Sequence, residues 1–344
     1  MLNVAKKKDT RFGNLAKAER PASAFIPYTR HVNETTLRTK DGYLLQIIKV
    51  EGLPFETADQ IDINQRKSIR ATMLRGLSNS RFAIYHHILR KESSATLEGF
   101  FINDWCRDLD RAYQSRLQKK RMFTNEQYIT IVRRPAQGAI GFMAELGRTA
   151  FRKMDQEIQK QQEEEDLKAL NEACSNLITT LSPYQPKLLG LKETENGFFS
   201  EPLSFLSYLI NLADAPIRLP RMPLAEYLPS KRISFGKETF EIRGAAPGDI
   251  KLGAILSLKE YADGTGPGML DGLLRLPHEF IITQSFGFVD RQASLTAMRD
   301  TKRKMIAGEQ GAKSLEEDLD EAIDDLASGR SSFGQHHLSV TAIA

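Results

Sequence analysis

Hydrophobic positions along this chain switch between a period of two and a period of three to four, and each switch marks an element. Across residues 35–50 apolar residues alternate around Asp41-Gly42, a pair suited to a type I′ turn, so a hairpin is expected to open the fold. Ile61, Ile69, Met73, Leu74 and Leu77 recur at helical spacing. Residues 81–90 then read as strand, 97–117 as helix and 127–133 as strand, with Tyr128, Thr130 and Val132 on one face and Ile129 and Ile131 on the other. Residues 139–181 read as a long helical region in which Ile158, Leu167, Leu170, Cys174, Leu177, Ile178 and Leu181 keep the spacing. Glu163, Glu164, Glu165 and Asp166 interrupt it, and are expected on a solvated helical segment rather than in a site. Ser182-Pro183 stops the helix, because proline disfavours helical geometry in the residue before it.

The second half repeats the style. Residues 202–212 form a short helix, 232–243 a hairpin turning near Gly236, 251–261 and 279–288 strands, and 292–306 and 315–326 helices. Residues 216–229 carry four prolines and read as a linker or surface crossing. The predicted class is α+β, in two related lobes around a long central helical region. The expected division is a basic arm at 1–24, a first lobe at 25–181 and a second lobe at 182–344. The final residues, following an acidic helix, have the character of a strand, which leads to the expectation that a further domain follows.

Charge sharpens one part of this picture. The net charge is only +4, so the whole molecule is no strong polyanion binder. Within residues 1–20, however, Lys6, Lys7, Lys8, Arg11, Lys17 and Arg20 face only Asp9 and Glu19, an excess equal to that of the entire chain. A mobile basic arm of this kind gains about 1 kcal/mol per charge near an anionic surface, so these six residues are the candidate contacts with a membrane or an acidic partner. Two cysteines, Cys106 and Cys174, sit in helical patterns and predict buried thiols rather than a disulfide framework. No run approaches the ~20 apolar residues of a spanning helix, and no secretory leader is visible.

Catalytic motifs fare poorly. Gly308-Glu309-Gln310-Gly311-Ala312-Lys313-Ser314 resembles a phosphate loop, but alanine separates glycine from lysine and the flanking elements read as helices. An interhelical turn is the better reading, with Ser314 capping the next helix and Glu317 closing a capping box. The pairs His86-His87 and His336-His337 fall on strands, where neighbours point to opposite faces, so one buried and one exposed histidine is expected in each. His31 and His278 stand alone, and no serine has a nucleophile-elbow setting. No catalytic, cofactor-binding or metal residue is assigned. Arg116, Lys119, Lys120 and Arg121, with Arg133-Arg134, leave a nucleic-acid module as the alternative, though no aromatic platform is interleaved with them.

A resemblance is carried by Phe25-Ile26-Pro27-Tyr28, by residues 45–55 through Glu51-Gly52, by the stretch from Tyr85 to Lys91, and by the stretch from Tyr128 to Pro135. It continues through Lys259-Glu260-Tyr261 with Thr265 and Pro267, Leu273-Leu274, the run from Pro277 to Phe286, and Gly329, Gly334 and the stretch from His336 to Ser339. In order and spacing these resemble the N-terminal domain of the type IV secretion and conjugation ATPases, the CagE/TrbE/VirB family. The resemblance implies a C-terminal RecA-like domain with Walker motifs that binds ATP and Mg, so none of those residues can be placed here. For this chain it implies a peripheral domain on the cytoplasmic face of the bacterial inner membrane. Such a domain would dock the motor on small inner-membrane subunits of the channel, self-associate as hexamers, and serve pilus biogenesis and translocation of DNA or protein.

Overall fold

The structure, a computed structural model, describes residues 19–52, 59–93, 99–135, 152–261, 266, 268–307 and 313–344. It is α+β, with one large antiparallel sheet and eight α-helices among the described residues. The first strands are β1 (Tyr28–His31), β2 (Leu37–Thr39) and β3 (Leu44–Val50), followed by α1 (Gln60–Gly76), β4 (Phe82–Ser93), α2 (Asp104–Leu117) and β5 (Met122–Arg133). Then come α3 (Arg152–Thr180), β6 (Lys187–Leu188), the small hairpin β7 (Leu191–Thr194) and β8 (Gly197–Ser200), α4 (Glu201–Asn211) and α5 (Leu224–Tyr227). The last third holds β9 (Arg232–Phe235), β10 (Phe240–Arg243), β11 (Ile250–Ser257), α6 (Asp271–Leu274), β12 (Glu279–Phe288), α7 (Arg291–Ala307), α8 (Lys313–Ser328) and β13 (Gly334–Ile343).

The strand order is β1-β2-β3-β5-β4-β12-β13-β11-β10-β9, with β6 paired to β3. This order contains a repeat that no stretch of sequence identity announces. β1, β2, β3, β4 and β5 lie in the order 1-2-3-5-4, and β9, β10, β11, β12 and β13 lie in the order 9-10-11-13-12. Each half-sheet is a three-stranded meander, then a strand placed two positions away, then a strand inserted between. The halves meet where β4 and β12 pair antiparallel, from Ala83 opposite Gly287 to Arg90 opposite Phe280. The two half-sheets are therefore related by topology and form one sheet.

Strand register fixes which residues share a face. On one face Leu44, Ile48 and Val50 of β3, Ile131 of β5 and Phe82 of β4 pack with Leu170, Cys174, Leu177 and Leu181 of α3 and the following turn. On the other face Leu45 and Ile47 of β3, Ala83 and Leu89 of β4, Tyr128 and Val132 of β5 and Ile281 of β12 pack against Leu203, Phe205 and Leu206 of α4. The first half-sheet is thus covered on both sides.

Several local expectations need correction. The β2–β3 turn is wider than type I′: Gly42 has φ +78°, whereas Asp41 does not share its left-handed geometry, and Thr39 N–H donates to the Tyr43 carbonyl at 2.9 Å. The helix expected at 97–117 begins at Asp104, where Asn103 Oδ1 accepts the Trp105 N–H at 2.9 Å; residues 94–98 lie outside the described residues. The proline-rich stretch 216–229 is no linker, because Leu224, Ala225 and Leu228 belong to the core beneath α4. Ser314 stands within α8, which starts at Lys313, and does not precede it.

Candidate functional site

The acids that interrupt the α3 pattern are the first surprise. Asp166 is buried and accepts from Arg133 Nε at 3.1 Å and from Arg81, while Glu163 takes Arg38 and, at 3.3 Å, Arg30. Two of the four acids therefore fasten α3 to the sheet rather than facing water. Arg133 is itself buried over the ring of Phe82, 4.6 Å from its centroid. Its place beside Arg134 in the chain suggests a surface basic pair, and the fold removes it from that surface. Arg121 is likewise engaged, with Glu92 at 2.9 Å, so each basic cluster has one member occupied.

A second network sits at the far end of β4. Glu126 accepts from Lys91 at 2.7 Å, from Lys49 at 2.9 Å and from the Tyr128 hydroxyl at 3.2 Å; Lys91 also reaches Asp214 at 2.8 Å and stands over the Tyr208 ring. Burial pushes the Glu126 carboxyl upward, but the two lysines outweigh it and hold it below the usual range. These groups satisfy one another and leave nothing positioned to react.

The histidine pairs divide unevenly. His87 is buried edge-on against Phe205 and is held neutral, its pKa pushed down to about 4 by burial and then by His86; its Nδ1 has no hydrogen-bond partner among the described residues. His86 points to the opposite face. The expectation for the second pair fails: His336 and His337 are both exposed. His336 meets the Tyr261 hydroxyl at 2.7 Å and His337 the Ser257 hydroxyl at 2.9 Å. His86 and His336 nevertheless line one groove of about 850 Å³ between the strands and α1, with Gln127, Gln284, Arg70 and Arg75 at its polar positions. Among the described residues no group of three His, Cys, Asp or Glu could hold a metal ion. His31 is a structural pin: its Nδ1–H donates to the Asn33 carbonyl at 3.0 Å, so Nε2 accepts from the Ser200 hydroxyl at 2.9 Å. Cys174 is buried in the α3 core, which raises its thiol to about 11; Cys106 is half-buried.

Of the predicted contact residues, Lys6, Lys7, Lys8, Arg11 and Lys17 lie outside the described residues. Arg20 is exposed, next to Glu19, which pairs with Arg232 of β9. Both line a groove of about 1120 Å³ whose walls are Phe25, Leu209, Ile233, Phe235, Phe240 and Ile255. Gly308 to Ala312 of the phosphate-loop look-alike also lie outside the described residues, between helices α7 and α8 as expected.

Sequence reading misses the exposed apolar residues. On the second half-sheet Leu252 and Leu256 emerge on one face and Phe235 and Ile255 on the other. Phe100, Ile102, Trp105, Leu109 and Tyr113 stand exposed along the α2 segment. The spacing of 105, 109 and 113 is visible as a helical stripe, but a stripe does not say whether it faces a core or water.

Among the described residues no helix is long and apolar enough to cross a membrane. Residues 35–140 match the family model of the type IV secretion system ATPase VirB4/TrbE, N-terminal domain, and residues 187–344 match the CagE, TrbE, VirB family, component of type IV transporter system. The chain is 33% identical over 334 residues to the type IV secretion system protein virB4 of Bartonella quintana, covering 96% of this chain and 42% of that protein. It is 32% identical over 338 residues to the type IV secretion system protein PtlC of Bordetella pertussis, covering 96% and 40%. To virB4 of Brucella melitensis it is 31% identical over 333 residues, covering 95% and 39%. The chain spans about two fifths of the length of these relatives. Two family models that meet across the shared sheet, and alignments running through nearly all of its residues, establish that the chain belongs to the CagE/TrbE/VirB family of type IV secretion system components.

Proposed function

We propose that this chain is the docking and assembly platform of a type IV secretion ATPase, catalytically silent by itself. The chemistry of ATP and Mg would belong to a RecA-like domain of the parent protein. In this reading a basic arm at 1–24 and two lobes, 25–181 and 182–344, hold the motor on the cytoplasmic face of the bacterial inner membrane as a peripheral protein. The partners are small inner-membrane subunits of the channel and further copies of the parent, as hexamers; the work served is pilus biogenesis and translocation of DNA or protein.

The observation that carries the reading is the exposed outer part of the second half-sheet, at β9 and β11. Leu252 and Leu256 on one face and Phe235 and Ile255 on the other are exposed in a unit whose counterpart is covered on both sides. On each face the exposed apolar pair, Leu252 with Leu256 and Phe235 with Ile255, suits an interaction surface. The nucleic-acid alternative loses support because Arg121 is paired and Arg133 is buried in its ion pair. The test is co-purification with the inner-membrane subunits of the channel. Leu256→Arg and Ile255→Arg are expected to abolish capture while leaving the fold intact; undiminished capture by both variants would sink the platform reading. A chain begun at Glu19 should dock more weakly if the arm contributes.

A further inference from the structure

Five large apolar side chains stand together in water around α2. Phe100 is 94%, Ile102 93% and Trp105 68% exposed, and Leu109 and Tyr113 are more than half exposed. Trp105, Leu109 and Tyr113 follow one another at intervals of four, so they form a single stripe, with Phe100 and Ile102 just before its capped start. The polar side of the helix closes on itself, Arg107 with Asp104 at 2.8 Å and Arg111 with Asp108 at 3.4 Å. Past these neutralised pairs come Arg116, Lys119 and Lys120, which have no acidic partner among the described residues. Aromatic and aliphatic residues on one side and unneutralised cations at one end are the pattern of a helix lying in a membrane interface.

Position in the fold supports the same occupant. α2 joins Ser93 of β4 to its register partner Met122 of β5, so it hangs from one end of the sheet. Glu279, the first residue of β12, is at that end and accepts from Glu92 N–H at 3.1 Å. Arg232 lies there too, through its register with Arg243 and Ile250, and it holds Glu19, where the chain arrives from the basic arm. The opposite end, where Phe288 pairs with Gly334, roots the α7–α8 hairpin, and α8 (KSLEEDLDEAIDDLAS) is strongly acidic. The apolar side chains and unpaired cations of the α2 segment thus project together from one end of the sheet, whereas at the other end the cations of α7 stand beside the acids of α8, as in the Lys302–Asp320 pair, so it is the α2 end that suits a negatively charged plane.

We infer that α2 and its flanks are a membrane-surface anchor: Phe100, Ile102, Trp105, Leu109 and Tyr113 enter the headgroup and upper acyl region of an anionic bilayer, and Arg116, Lys119 and Lys120 meet lipid phosphates. This rests on the platform reading and goes beyond it by naming the surface and the lipid chemistry.

Trp105 is the only tryptophan, so its emission reports the site directly. With the 344-residue chain, vesicles of phosphatidylethanolamine and phosphatidylglycerol should shift that emission to shorter wavelength, and brominated acyl chains should quench it. Vesicles of phosphatidylcholine alone should bind at least about tenfold more weakly. The double variant Lys119→Gln, Lys120→Gln should lose more than about tenfold in affinity at low salt. Leu109→Glu should remove the quenching, with an unchanged circular dichroism spectrum because the side chain is exposed. The chain begun at Glu19 should still show it. The inference is overturned if emission stays water-like on every vesicle. It is equally overturned if single-stranded DNA or a detergent-solubilised channel subunit shifts Trp105 while vesicles do not. Co-purification with channel subunits is read separately, so failure of the anchor and failure of the platform are distinguishable.

Discussion

The two half-sheets have one topology and unequal cover. β3, LLQIIKV, is buried at six of its seven positions, whereas its topological counterpart β11, IKLGAILS, is buried only at Gly253. The difference lies in the helices laid on each half. The first half-sheet receives α3 on one face and α4 on the other, and α3 is held by the buried Asp166 between Arg81 and Arg133. The second receives the short α6, whose Leu273 and Leu274 pack beside Phe280 and Ile282, and joins the α4 core through Phe240, Ile242, Ile281 and Ile343, while α7 and α8 pack on each other. One arrangement builds a stable body; the same arrangement with less cover leaves β9 and β11 exposed for something else to bury.

That contrast can be attacked from its strongest side first. Asp166→Ala strands the buried Arg133 and should cost about 3–5 kcal/mol in urea unfolding, with Asp166→Asn costing less. The ion pair between Lys302 and Asp320 of the α7–α8 hairpin is exposed on the aspartate side, and Lys302→Ala should cost no more than about 1 kcal/mol. Next, Ile131→Ala, at a fully buried position, should cost about 2–5 kcal/mol, against less than about 1 kcal/mol for the exposed Leu256→Ala. Equal costs would erase the distinction.

A pH effect of smaller size arises in the covered half, at His87. His87 is neutral in the fold with a pKa of about 4, against 6.5 when unfolded, so above 6.5 the two states carry the same charge. As pH falls from 6.5 toward 4 the unfolded chain takes up the proton first and stability drops, by at most about 3 kcal/mol. His87→Leu should flatten this slope in unfolding measured across that window. The smallest effect is expected at Asn103, where alanine removes the cap of α2; ~1 kcal/mol is lost locally, read as faster amide exchange at Trp105 and the residues after it.

Much of the fold is legible in the residue pattern. The strands at 81–90, 127–133 and 279–288, the helix at 202–212 and the hairpin about Gly236 follow directly from periodicity and turn chemistry. The illegible part depends on partners distant in sequence. Asp166 looks like one of four solvated acids until Arg133, on another element, is placed against it. Leu224 and Leu228 look like loop residues until the core beneath α4 closes over them. The repeat is legible as two related lobes, but its strand order is not, because topology can recur while side chains change with their cover. The α2 stripe is readable as a stripe, and only the fold reveals that it faces water.

The claim that the covered half is a body and the exposed outer strands of the other half a docking surface is tested most directly by hydrogen–deuterium exchange of the chain, alone and in complex with the inner-membrane subunits of a type IV secretion channel. The account predicts new protection in β9, β10 and β11, with β3, β5 and the α3 core unchanged. Protection gained across α3 and the first half-sheet, with β9 to β11 exchanging as before, would contradict it.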